Sequence, residues 1–154
     1  MEWLEKLQRP KKYIVWSWKW AFLAVVMGIV GGLLSYLVGG FDTPLMALII
    51  CMAIDYATGL IVAGVFHQSP KSPNGGLESH AGWKGLARKF VTILIVVVAH
   101  LMDLLLGVCY IRDAVIIGFC ANEIISILEN AGLMGLGIPE PIREAIDLLV
   151  SKKE

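Results

Sequence analysis

Three carboxylates, Asp55, Asp103 and Glu123, stand in or beside long apolar stretches, accompanied by His100 and by Asn122, Ser126, Glu129 and Asn130. His100 and Asp103 are three apart and share a helix face, where an imidazolium could neutralise the carboxylate. With Glu123 they could form an acid cluster suited to proton-coupled transport or intramembrane hydrolysis. Catalytic signatures are nevertheless missing. His67, His80 and His100 have no H-E-x-x-H spacing, no cysteine pair lies at a zinc spacing, and neither a G-x-S-x-G nor a phosphate-binding G-x-x-x-x-G-K-[ST] occurs. The expectation is no enzyme, no metal and no cofactor. A carboxylate at the centre of a membrane helix costs about 2.5 to 3.5 kcal/mol, so the three together would cost roughly 8 to 10 kcal/mol if ionised and lipid-facing. They must therefore face protein or water.

The elements that carry them belong to a bilayer. The chain has 154 residues, 57% of them hydrophobic and only 17% charged, with a mean hydropathy of +0.73. That composition excludes an ordinary soluble domain. Thirteen Lys and Arg balance thirteen Asp and Glu, which leaves no global field to hold nucleic acid. Cys51, Cys109 and Cys120 are odd in number and lie in or beside apolar runs, so they read as small apolar fillers rather than a disulfide framework.

Crossing about 30 Å of hydrocarbon takes roughly 20 mostly apolar helical residues. Four runs qualify, at 21–38, 44–66, 90–107 and 114–136. The first is entered through Trp16, Trp18 and Trp20, an interfacial anchor within a basic segment at 1–20. The second opens with Pro44 at a position where a helix start tolerates a missing N–H. The fourth is the least apolar, because Asn122, Glu123, Glu129 and Asn130 interrupt it. A secretory signal could imitate the first run, but the run is longer than a typical signal core and no small-x-small cleavage site follows it.

Cations settle the expected orientation. Lys6, Arg9, Lys11, Lys12 and Lys19 precede the first run; Lys71, Lys84, Arg88 and Lys89 link the second to the third; Arg143, Lys152 and Lys153 occupy the tail. Four spans with both termini inside put these twelve of thirteen cations in the cytoplasm, leaving only Arg112 outside, whereas three spans export the basic tail. Lys84, Arg88 and Lys89 then read as cytoplasmic anchors. Ser, Pro, Asn and Gly at 68–76 predict a cytoplasmic loop, and Ile142, Ile146, Leu149 and Val150 predict a short amphipathic helix within a cytoplasmic tail at 139–154. The expected fold is a single all-α membrane domain of four transmembrane helices plus that tail helix.

Within the spans, Asp55 and Gly59 are four apart beside Ala53, Ala57 and Ala63, which makes a packing surface with a polar grip. Asn122, Ser126 and Glu129 follow i, i+4, i+7, while Glu123, Ser126 and Asn130 follow i, i+3, i+7. Together they form a wide polar stripe. Two readings stay open for these groups: pairing inside one copy, or lining a wet surface made when several copies assemble. Gly28 and Gly32 add a G-x-x-x-G spacing to the first run, weak evidence by itself.

Several pieces, in order, resemble a known family. They are Asp55-Tyr56-Ala57-Thr58-Gly59, Lys84-Gly85-Leu86-Ala87-Arg88-Lys89, His100-Leu101-Met102-Asp103, Arg112, and the run from Asn122 through Glu123, Ser126 and Glu129 to Asn130, followed by Gly135, Gly137, Pro139 and Pro141. This order is similar to that of the phage lysis and toxin-secretion holins of Gram-positive bacteria and their phages, including the clostridial toxin-export group. The resemblance implies a multi-pass protein of the cytoplasmic membrane that accumulates against lipid, forms homo-oligomers and opens lesions. An endolysin or a toxin without a signal peptide then escapes, and an antiholin is a further implied partner. Asp55, Gly59, His100, Asp103, Asn122, Glu123, Ser126, Glu129 and Asn130 become the oligomerisation or lesion-lining candidates. A small ion or proton channel using the intramembrane carboxylates is the alternative.

Overall fold

The computed structural model describes residues 11–72, 74–142 and 144, and its regular elements are all helical, with no strand among the described residues. It divides into two compact units, 1–39 and 40–154. The first contains α1 (Lys11–Val38), whose stretch Trp18–Val38 has a mean hydropathy of 2.3. Phe22, Met27, Ile29 and Leu33 point outward on different sides, so α1 is apolar all round, as a lipid-embedded helix must be.

The second unit holds α2 (Thr43–Ile61), α3 (Ser79–Leu106) and α4 (Ile111–Leu133). Asp42 starts α2 by accepting the Leu45 N–H on Oδ1 at 3.2 Å, with proline in the first turn. A wider turn over Val62–Phe66 extends α2 and ends at His67, which adopts φ +52° and places Nδ1 2.9 Å from the Ala63 carbonyl. The following loop closes through Gly75 at φ +69°, where a Cβ would lie 2.1 Å from the His67 carbonyl oxygen, so only glycine fits. Gly107 at φ +66° stops α3.

Three seams with alternating steps of three and four residues pack the unit. They run Leu45, Leu48, Met52, Asp55, Gly59 and Val62 on α2; Gly85, Lys89, Thr92, Val96, Ala99 and Asp103 on α3; and Arg112, Ile116, Phe119, Glu123, Ser126 and Asn130 on α4. Every one of these residues is buried or half-buried. That is the heptad spacing of helices meeting along a narrow stripe. The least apolar helix is the central one: α4 packs extensively on α2 and on α3, while α2 and α3 touch each other least.

Exposure is inverted relative to a water-soluble protein. Leu105 is 78% exposed and Phe90 64%, whereas Asp103, Arg112 and Glu123 are 5 to 7% exposed. Apolar outside and charged inside is the arrangement that lipid favours.

Among the described residues, three segments are long and apolar enough to cross a membrane: Trp18–Val38, Thr43–Phe66 and Ser79–Leu106. The expected runs at 21–38, 44–66 and 90–107 fall within or next to these. The third starts earlier than expected because 79–89 is already helical, its polar residues sharing the helix with Gly82 and Gly85. The expected fourth run at 114–136 is observed as α4, shifted to Ile111–Leu133 because Asp103 caps its start. At 23 residues α4 is about 34 Å long and carries Arg112, Asp113, Glu123 and Glu129, and it is not among these three apolar segments. Of the expected tail helix, residues 140–142 and 144 have helical geometry, and 143 and 145–154 lie outside the described residues, as does 1–10 of the basic entry.

Candidate functional site

The two motifs at 55–59 and 84–89 meet in space. Lys89 Nζ donates to Asp55 Oδ2 at 2.8 Å and to Glu123 Oε2 at 2.5 Å, which ties α2, α3 and α4 through one ammonium. All three side chains are 9 to 13% exposed. Asp55 Oδ1 accepts from Asn130 Nδ2 at 3.2 Å. The same amide donates to Thr58 Oγ1 at 3.0 Å, and the Thr58 hydroxyl donates back to the Asp55 carbonyl at 3.0 Å. Gly59 faces Asn130, and a Cβ there would make an ordinary contact with Nδ2 at 3.8 Å. Tyr56 adds a second contact between α2 and α3, its ring and hydroxyl lying against Gly85 and Gly82.

Charge decides how this cluster behaves. Two carboxylates share one ammonium, and the buried polar side chains of the described residues all have partners. Helix centres are where such groups are costly, and mutual pairing is what offsets the cost. Beside the cluster lies a cleft of about 590 Å³ between the three helices, floored by Glu123, Ser126 and Asn130 and edged by Ser69, Lys71 and Leu77 of the loop. Its floor is polar and its walls largely apolar.

A second polar knot closes the opposite end of the unit. Arg112 grips Asp42 with two nitrogens at 2.7 and 2.8 Å, donates to the Gly40 carbonyl at 3.1 Å and reaches Asp113 at 3.2 Å. Hydrogen bonding from the Arg112 guanidinium holds the Asp42 carboxyl below its ordinary range, against the opposing effect of burial. Asp103 accepts the Ile111 and Arg112 N–H groups, each at 3.0 Å, and so caps α4 from eight residues upstream. The α2–α4 pairing is therefore parallel, running from Asp42–Arg112 at one end to Asp55–Asn130 further along.

The candidate residues consequently part into two sets. Asp55, Gly59, Glu123, Ser126 and Asn130 converge inside one copy of the chain, on the α2–α4 seam. Asn122 and Glu129 lie outside it and are exposed, and His100 is half-buried one turn from Asp103, whose carboxylate is taken by the α4 backbone. Of the three expected anchors, Lys84 and Arg88 are exposed and Lys89 is turned inward. Sequence reasoning took Lys89 for an anchor like its neighbours; its place four residues after Gly85 and three before Thr92 on the α3 seam was the missed signal. Thr58, Tyr56 and Asp42 were also missed as partners. Among the described residues no group of three or more His, Cys, Asp or Glu side chains is placed to hold a metal ion.

Comparison with known proteins extends over most of the chain. The model of the bacteriophage holin family matches residues 32–151. An uncharacterized protein of Listeria monocytogenes is 37% identical over 123 residues, covering 79% of this chain and 82% of the relative. An uncharacterized 14.9 kDa protein of Clostridium perfringens is 32% identical, covering 88% of this chain and 94% of the relative. A protein of Bacillus phage phi105 named "probable holin" is 30% identical over 102 residues, covering 66% of this chain and 70% of its own length. No solved structure matches. With apolar helices bearing a buried ion cluster, and a family match across helices α2 to α4, the chain belongs to the bacteriophage holin family.

Proposed function

We propose that this chain is a non-enzymatic holin of the cytoplasmic membrane that gathers into homo-oligomers and opens lesions, releasing an endolysin or a toxin that lacks a signal peptide. The observation that carries this reading is the division of α4. Its inner face completes the cluster with Asp55 and Lys89, while Asn122, at the edge of the cleft, and Glu129 lie exposed on its flank. A polar flank on a membrane helix is costly against lipid and is relieved when copies meet.

Four spans fit the same reading. Because α4 lies parallel to α2 from Asp42–Arg112 to Asp55–Asn130, a helix that follows α2 through the bilayer crosses it too. The one cation this puts outside, Arg112, is neutralised by Asp42, in keeping with the bias of free cations towards the cytoplasm. Both termini are then cytoplasmic.

The test is expression in a bacterium with and without a cytoplasmic endolysin. Abrupt lysis only in the presence of the endolysin is the expected result. Gradual ion leakage with the endolysin still retained would favour a second reading, a small cation or proton channel, which the cleft reaching the Asp55–Lys89–Glu123 cluster supports. An antiholin would lengthen the delay before lysis when co-expressed.

A further inference from the structure

The contact between Lys89 and Glu123 marks one level on two antiparallel helices, and it serves as a ruler for the exposed residues around it. Lys84 lies five residues before Lys89, about 7.5 Å towards the start of α3. Glu129 lies six residues after Glu123, about 9 Å towards the end of α4, which is the same direction. The two exposed side chains therefore stand within about 1.5 Å of one depth. Arg88 and Asn122, also exposed and both at the edge of the cleft, flank the ruler by one residue each and differ in depth by about 3 Å.

We propose that the α4 flank bearing Asn122 and Glu129 docks against a second copy of this chain, which presents the α3 flank bearing Lys84 and Arg88. The inference rests on the oligomeric reading above and names the surfaces it uses. Charge complementarity selects this occupant. Glu129 needs a cation and Asn122 a donor or acceptor at fixed depths; the other cations of α3 and α4, Lys89 and Arg112, are already held by Asp55, Glu123 and Asp42. Lys84 and Arg88 remain, four residues apart on one face, at the matching depths. Each copy carries both halves of the contact. Addition of copies therefore leaves the same complementary surfaces for the next one.

The experiment uses the full chain in native membranes, as two differently tagged copies expressed together and treated with a membrane-permeant carbodiimide, which joins a carboxylate directly to an amine. The expected result is a mixed-tag dimer whose digest contains a Glu129–Lys84 linkage. Glu129→Lys and Lys84→Glu should each lower the dimer yield several-fold, and the double variant should restore it. The milder Glu129→Gln and Lys84→Met, with membrane abundance measured alongside, separate loss of contact from loss of folded protein. Multimers that persist unchanged in both reversals, or a linkage confined to the monomer band, overturn the surface assignment and leave the holin reading standing. Complete absence of multimers in the unaltered protein overturns both.

Discussion

Lys89 neutralises two carboxylates with one charge, so removing the cation and removing one anion have unequal effects. Lys89→Met leaves Asp55 and Glu123 side by side without a counter-ion, a change expected to cost about 3 to 5 kcal/mol. Glu123→Gln keeps an oxygen acceptor for Lys89 and leaves one anion for one cation, so the expected loss is about 1 kcal/mol. Thermal unfolding in detergent should give a Tm that falls steeply for the first and little for the second. At the other end of the unit, the lowered Asp42 carboxyl makes its pairing with Arg112 fully present above the ordinary carboxylate pKa of about 3.9 and lost as pH falls through the depressed folded value. Unfolding curves should therefore be flat in this respect from about pH 5 to 8 and fall only below about pH 4. Asp42→Asn should remove that acid limb. Because the Asp42 side chain is 43% exposed, water and salt screen the pair and the limb is shallow.

Helix α4 begins where a distant side chain permits it. Asp103→Ala withdraws the acceptor from the Ile111 and Arg112 N–H groups, with an expected cost of about 1 to 2 kcal/mol, and amide hydrogen exchange should quicken at those two residues while the middle of α4 is unchanged. The same contact explains what could be read in the chain beforehand. The spans of α1 and α2 were legible because a bilayer demands uninterrupted apolar length, which composition displays directly. The start of α4 was not, since its cap stands eight residues upstream across a turn. The candidate residues were legible by type and by helix face: Glu123, Ser126 and Asn130 do share the inner face that their i, i+3, i+7 spacing describes. Their partners were hidden by separation, for Asp55 meets Lys89 at 34 residues and Asn130 at 75. Lys89 was further disguised by standing in a run of cations, where the usual fate of a lysine is to reach for water.

Across the whole chain, reporter fusions offer the plainest check on orientation. Fusions at Gly40 and Arg112 should report the outside, and a fusion at the C-terminus the cytoplasm. An outside signal at the C-terminus would remove the fourth crossing, and a cytoplasmic signal at Arg112 would sink the four-span arrangement. Synthesis from the N-terminus then has an unusual consequence, because the central helix of this unit is made after the two helices that it joins. Until α4 arrives, α2 and α3 have little to hold them together beyond Tyr56 against two glycines and the pairing of Asp55 with Lys89. The nascent hairpin thus stays unfinished until its final third is translated, and a premature stop before residue 111 yields a chain that inserts its earlier helices yet never acquires the piece that joins them.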